Sequence, residues 1–525
     1  MPVTADFYQF EKSLASSNDG KDAQPDPNVN SGALKVDKYG LPLIPQPSDD
    51  PADPLNWSNG AVLLQASILA FMGPFGHSLI NPAYVTLAAS FHITPQQASY
   101  TTTIAIAFAG IGPFLWVPLA NVYGRRPIYL FGTLVSIAAV AGAGAAQSYG
   151  TLLVARACHG FFSCTAMALG AATAVDLFCL HERGRALGVF TVLVTNGAHL
   201  ASIPGGYLAL FVGWRWDFRL PAILLGVMFI IMLVAMPETL YRRGPRVVHA
   251  TTSRPMRSVV VERLRIWGYH DAKHKLHATD FVQPLQMFKY PSVVFPAIYY
   301  AVAFGWASIE PALTVATIFH TNYGFNTAQN GLVLGISLML GAFIGELFGG
   351  HALDTILRQY RQKHDGVPEP EVKLRGIWLG TVMLPAGLLV YGFTIQYKVH
   401  YIVPTIGMGI ANFGLQIIAT VSYSYSTDCY KVWVFLLGTL QGSISYYSML
   451  IELGIQPLGK AIGFQFAFII YALIALVCFT PMLWLMRYGH RTRERMGKLY
   501  RHSYTIQTKF CVFFSTGKPT YNIDL

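Results

Sequence analysis

Twelve stretches of about 20 mostly apolar residues, fenced by polar or turn-forming residues, constrain this chain more than anything else in it. They cover 61–80, 100–119, 128–146, 152–175, 186–212 and 220–236, then 293–319, 331–350, 377–395, 401–423, 432–453 and 462–486. About 20 apolar residues are what one helix needs to cross a bilayer. Hydrocarbon offers the backbone no hydrogen-bond partner, so each stretch must satisfy its own amides as a helix. The expected fold is an all-α polytopic membrane protein with twelve transmembrane helices in two six-helix halves. The run at 432–453 is the least apolar, carrying Gln441, several Ser and Tyr, and Glu452.

Charge agrees with this. Only 12% of residues are charged, about half the share of a soluble domain. The net charge of +11 could suggest nucleic-acid binding. The Lys and Arg residues, however, fall in loops between apolar runs, as membrane topology requires, so no nucleic-acid partner is expected. The six cysteines form no C-x-x-C pair and read as small apolar residues, so neither a disulfide nor a metal site is implied. Residues 1–58 are polar and expected to be a disordered cytosolic tail, with no cleavable signal before the first run. The halves are expected over 59–236 and 291–487, joined by a basic cytosolic loop over 237–290 and followed by a basic cytosolic tail over 488–525. That last tail is expected to lie against the inner leaflet.

With the N-terminus inside, the inner loops hold Arg125, Arg126, Arg183, Arg185, the basic centre, Arg358, Arg361, Lys363, Lys373, Arg375 and Lys431. The outer loops hold only Arg215, Arg219, Lys398 and Lys460. The asymmetry puts both termini in the cytosol. The Asn56-Trp-Ser58 sequon is then cytosolic and unused.

Between the second and third runs lies WVPLANVYGRRPIYL, residues 116–130. It resembles G-x-L-A-D-R-x-G-R-R, the turn between helices 2 and 3 of the major facilitator superfamily. Leu119, Ala120, Gly124, Arg125 and Arg126 match, whereas Val117 replaces the first Gly and Asn121 the Asp. Asp53-Pro-Leu-Asn-Trp57 and Pro237-Glu-Thr239 resemble signatures of fungal members near the drug and polyamine proton antiporters. The Pro-Glu-Thr triplet reads as a helix stop rather than a site. Gly349-Gly-His-Ala-Leu-Asp354 resembles a degenerate second copy of the turn, one half later. The resemblance implies an inner gate at Asn121, Gly124, Arg125, Arg126, Asp176 and Asp354, with Arg125 and Asp176 as a charge pair.

Other candidates lie inside the runs. Arg156, in R-x-x-x-G of the fourth run, must face a polar cavity or a partner, or else snorkel to the headgroups; a cavity role is favoured. In the fifth run, Pro204, Gly205 and Gly206 resemble the G-P-x-x-G-G antiporter motif, with Ala201 and Ser202 replacing its Gly-Pro, and are expected to serve helix packing. Asn196 and His199 share one face, as do Asn412 and Gln416 in the tenth run. Glu310 and Glu346 are acids within apolar runs. Arg156, Asn196, His199, Glu310, Glu346, Asn412 and Gln416 are therefore the expected substrate and proton pathway, with Glu346 or His199 carrying the exchanged proton.

No ATP-binding or hydrolase motif is present, so neither a cofactor nor enzymatic activity is expected. The resemblance implies a monomeric secondary transporter of the cell membrane, exporting a small organic molecule such as a drug, toxin or secondary metabolite in exchange for protons. Uptake of a small cation or nutrient such as a polyamine stays open, because the first run has only Gln65 and His77 as notable polar groups. A non-transporting receptor and a membrane enzyme are weaker alternatives.

Overall fold

The computed structural model describes residues 43, 46–48, 50, 53–57, 60–241, 276–363, 369–429 and 455–516. Its described residues contain eleven helices long and apolar enough to cross a membrane. The N-terminal half is α1 (Gly60–Ser78), α2 (Pro95–Tyr123), α3 (Arg125–Ala145), α4 (Tyr149–Leu177), α5 (Leu180–Phe211) and α6 (Trp216–Ala235). The C-terminal half has α7, which runs from Pro291–Phe304 through a π-turn at Gly305–Ile309 into Glu310–Tyr323. Then follow α8 (Thr327–Lys363), α9 (Trp378–Gln396), α10 (Ile402–Cys429) and α11 (Phe464–Thr516). The predicted run at 432–453 lies outside the described residues, as do Glu452, residues 242–275 of the basic loop and most of the N-terminal tail.

Local chemistry sets the helix ends. Thr94 and Gln97 form a capping box at the start of α2, and Ser148 and Thr151 do the same for α4. Gly124, at φ +105°, turns the chain from α2 into α3 in a conformation that disfavours a side chain. Two expectations change. The first membrane segment does not stop at residue 80. Pro82 interrupts the helix, a 3-10 turn at Asn81–Ala83 follows, and a second helix runs over Tyr84–Phe91. Tyr84 Oη, donating to Asn81 Oδ1 at 2.7 Å, holds this elbow in the interior. The second copy of the Gly124 turn is also absent: α8 passes straight through 349–354 to Lys363.

Each half has an apolar core, and Ile309, Leu313 and Ala316 of α7 join that of the N-terminal half. Large apolar side chains also cover the outside, with Phe211 75%, Val234 69% and Val477 64% exposed. A surface of this kind faces lipid rather than water. The halves meet chiefly along α5 and α8. We call the end of the bundle bearing Gly124 the turn end, and the end bearing the Asn81–Ala83 elbow the far end.

Candidate transport site and gates

Arg156 is fully buried in the N-terminal half. Its Nη1 donates to the Gly76 carbonyl at 3.0 Å, its Nη2 to that of His77 at 2.7 Å, and its Nε to that of Thr101 at 3.1 Å. Nη1 also lies 3.3 Å from His159 Nδ1, and the guanidinium carbon is 5.4 Å from the centre of the Phe218 ring. The snorkelling alternative fails, because no part of the side chain reaches the surface. None of these partners is acidic. The elbow at residues 79–83 interrupts α1's own ladder, and Arg156 supplies donors to carbonyls near that break. His77 Nε2 lies 2.9 Å from Ser163 Oγ and its ring centre 4.8 Å from that of His159, so a buried polar cluster joins α1, α2 and α4.

The halves meet at glycines. A Cβ on Gly205 would strike the Leu79 carbonyl at the end of α1, and one on Gly206 would strike Thr327 of α8. The two neighbours thus pack on opposite halves. Gly331 and Gly335 of α8 bear in the same way on Ser202, Ile203 and the His199 carbonyl. Thr327 Oγ1 closes the seam, donating to the Gly206 carbonyl at 3.1 Å. Pro204 lies within α5, which continues through it as a helix.

Deeper in the bundle, Asn412 Nδ2 of α10 approaches His199 Nε2 of α5 at 3.5 Å and donates to the Leu338 carbonyl of α8. Its Oδ1 is buried with no partner among the described residues. Asn196 turns back to its own helix, donating to the Val192 carbonyl at 2.9 Å. Glu346 follows Gly335 by 11 residues on α8. That is about 20° around the helix and about 16 Å along it, so the acid continues the face that α5 covers at the far end. Its Oε2 accepts from Gln416 Nε2 and Thr420 Oγ1, both at 2.7 Å. Glu310 is set apart: it is buried, accepts from Thr314 Oγ1 at 2.8 Å and faces Tyr391 of α9.

At the turn end, Arg125 Nε donates to Asp176 Oδ2 at 3.3 Å and Nη1 to Asn121 Oδ1 at 2.8 Å. Arg126 Nη2 donates to the Leu233 carbonyl at 2.7 Å. A residue read only as part of a helix stop completes this group. Glu238 accepts from the backbone N–H of Arg125 at 2.9 Å, of Arg126 at 3.1 Å and of Leu240 at 2.8 Å. Burial pushes its carboxyl above the usual carboxylate range, and those three amides and the Arg125 charge act against that push. Asp354 does not join a gate. It is exposed on α8 and makes no hydrogen bond or ion pair among the described residues, because the helix it was expected to end continues for more than two turns. Among the described residues, the C-terminal half has at this end the ion pairs Arg493–Glu371 at 2.9 Å and Lys373–Asp428 at 2.6 Å, and His490 lies 3.6 Å from Glu369.

Residue-by-residue reading also missed Thr420, His159 and Asp217, and it noted His77 as a polar group of the first run without giving it a role. Asp217 is fully buried at the start of α6, with both carboxyl oxygens unpartnered among the described residues. An acid one residue after Trp216 was a visible signal. Among the described residues no three His, Cys, Asp or Glu side chains group to hold a metal.

Comparison with known proteins agrees with this architecture. Residues 66–445 match the model of the Major Facilitator Superfamily. The chain is 27% identical to the efflux pump radE of Floropilus chiversii over 495 residues, covering 91% of this chain and 87% of that protein. It is 31% identical to the MFS transporter cpaT of Aspergillus oryzae, covering 73% and 77% respectively. It is 28% identical to the MFS transporter fsa7 of Fusarium sp. (strain FN080326), covering 94% and 97%.

Proposed function

This chain belongs to the Major Facilitator Superfamily, and from that premise we propose that it exports a small organic molecule in exchange for protons. It is a multi-pass membrane transporter. The observation that carries the finer reading is the course of α8. Its far-end face is sealed against α5 through Gly206, Gly331 and Gly335, and the same face bears Glu346 deeper in. Substrate binds between the halves near Glu346, Gln416, Asn412 and His199, with Asn196 alongside. Access alternates as the seam opens and the turn end closes.

We read the protein as a monomer of the cell membrane; the Lys and Arg distribution supports a cytosolic turn end and cytosolic termini. Glu346 or His199 carries the exchanged proton, each being ionisable and close to the interface of the halves. The names of radE and of a Fusarium oxysporum relative, efflux pump FUBT, support export as the direction. One observation favours uptake of a small cation or nutrient instead: α1 carries no acid to take part in exchange.

Flux of a radiolabelled substrate into proteoliposomes, with and without an imposed pH gradient, tests the reading. Gradient-driven accumulation against concentration is expected. Gradient-independent equilibration would make the protein a facilitator, and no flux of any solute would remove the transport reading.

A further inference from the structure

The second part of α7 carries Glu310, Thr314, Thr317 and Thr321 at i, i+4, i+7 and i+11, within about 60° of one another around the helix and spanning about 16 Å along it. Exposure rises along this line: Glu310 and Thr314 are buried, Thr317 is half-buried and Thr321 is exposed at the far end. Polar side chains inside a membrane protein are satisfied by one another or by water. Here the protein satisfies only part of the line. Thr314 Oγ1 meets Glu310 Oε1, and Thr321 Oγ1 donates to the Thr317 carbonyl at 2.8 Å. Four buried atoms along it have no hydrogen-bond partner among the described residues: Glu310 Oε2, Thr317 Oγ1, Asn330 Oδ1 and Tyr391 Oη.

These atoms come from three helices and lie together. Tyr391 of α9 is within electrostatic reach of Glu310 and Tyr323, and its hydroxyl comes close to the Thr314 side chain. Asn330 of α8 donates its Nδ2 to the Ala316 carbonyl at 3.4 Å, which puts its amide beside Thr317. Besides Glu310, the ionisable groups on the second part of α7 and on α9 are Tyr323, Tyr391 and exposed His320, and the first on α8 after Asn330 is Glu346, 16 residues on. No Lys or Arg occurs in the sequence of α7, nor in the run at 432–453. The π-turn at Gly305–Ile309 sets the alignment. The Glu310 amide bonds back five residues to the Gly305 carbonyl. Removing the extra residue of such a turn would rotate everything before it by about 100° relative to the stripe.

We propose that this stripe is a hydrated proton route from the far face to Glu310, separate from the substrate gap at Glu346. Waters bridging Thr321, Thr317, Asn330 and Tyr391 to Glu310 Oε2 satisfy all four atoms, each water taking about three partners. A proton arriving along them adds to the Glu310 carboxylate at Oε2; one O–H bond forms, the nearest water gives up one, and nothing is oxidised or reduced. In exchange, release is to the turn end: once the halves have rocked, Glu310 Oε2 gives the proton to a water on that side, one O–H bond breaking as one forms, so each cycle moves a proton across. This inference rests on the proton-exchange reading above and gives the proton its own entry.

The test uses the full chain in sealed proteoliposomes loaded with the pH dye pyranine, with a valinomycin–potassium potential, negative inside, drawing protons inward. Wild type should acidify the interior. Glu310→Gln, which keeps the size and the Thr314 bond, should slow acidification at least fivefold, and Thr317→Val should do the same. Thr480→Val removes an exposed, helix-bonded threonine from α11, away from the stripe, and should leave the rate unchanged. Unaltered melting temperatures in all variants would exclude misfolding. Wild-type rates in Glu310→Gln, a Thr317→Val no slower than Thr480→Val, or no proton movement in wild type would each overturn the route. Radiolabelled flux in the same vesicles separates the two readings. Solute movement with Glu310-independent proton entry sinks the route alone, whereas absence of solute movement sinks the transport reading.

Discussion

Glu238 Oε1 accepts the backbone N–H of Arg125 at 2.9 Å, so an acid just after α6 caps the first turn of α3. Its Oε2 takes the next amide, that of Arg126. A carboxylate at a helix N-terminus meets free donors and the positive end of the helix dipole. Glu238→Ala should therefore destabilise the turn end by about 1–2 kcal/mol, seen as a lower apparent melting temperature. Burial raises the Glu238 carboxyl, so the folded state binds a proton more readily than the unfolded one. Its contribution to stability is then greatest at acid pH and is lost as pH rises through the raised value. Subtracting the melting profile of Glu238→Gln from that of wild type should leave a curve that falls as pH rises through the raised value. A flat or rising difference would mean that the amides fully offset the burial.

Arg125 and Asp176 form the ion pair at the same end, with side chains 7% and 24% exposed. If this pair holds the turn end closed in one state of the cycle, Arg125→Ala and Asp176→Ala should each slow turnover several-fold. The double variant should be no slower than the slower single one, because the second change removes a partner already lost. Multiplying losses would show that the two residues act independently. Asn121→Asp should also slow turnover, since an acid 2.8 Å from Arg125 Nη1 would hold the same guanidinium more tightly.

The contrast between these two predictions shows what could be read in advance. Apolar runs of membrane length gave the helices, because hydrocarbon leaves the backbone no alternative. The Arg125–Asp176 pair was implied by the family resemblance of the turn at Gly124, not by any spacing between the two residues. Glu238 was not, because its partners are backbone amides more than a hundred residues away, and amides have no residue-type signature. Asp354 misled for a related reason. Its local pattern copies the Gly124 turn, but no residue after it breaks the helix, and α8 runs on. Gly205 and Gly206 were recognised as packing residues, whereas their opposite allegiances depend on which helices flank α5.

The glycine seam predicts a steric effect. A Cβ on Gly331 would drive into the Ser202 carbonyl, and backbone cannot move aside cheaply. Gly331→Ala should therefore hold the far end apart. A cysteine placed at Thr327, on the seam, should react at least fivefold faster with a membrane-impermeant thiol reagent in the Gly331→Ala background than alone. Gly226, with nothing within 4 Å of its Cβ position, is the control: Gly226→Ala should leave that rate unchanged. Equal rates in all three proteins would mean that the seam does not set access at the far end.

Arg156 gives the last prediction. Its guanidinium stays charged at any physiological pH, so it is not the proton carrier. Its geometry instead makes it a clasp: one planar group serves carbonyls of α1 at Gly76 and His77 and of α2 at Thr101. Lys would keep the charge but has one nitrogen, which cannot reach three carbonyls set around a fork. Ala would leave all three bare, at about 1–3 kcal/mol for each buried group left unpaired. Transport per surface-exposed molecule should thus run wild type, then Arg156→Lys, then Arg156→Ala, the lysine variant losing several-fold and the alanine variant most of its activity. The melting temperature should fall in the same order, because the clasp acts on the fold before it acts on flux. Near-wild-type flux in Arg156→Lys would show that charge alone suffices there. A silent Arg156→Ala would mean that the elbow after α1 holds without it, leaving Tyr84 and Asn81 to keep its shape.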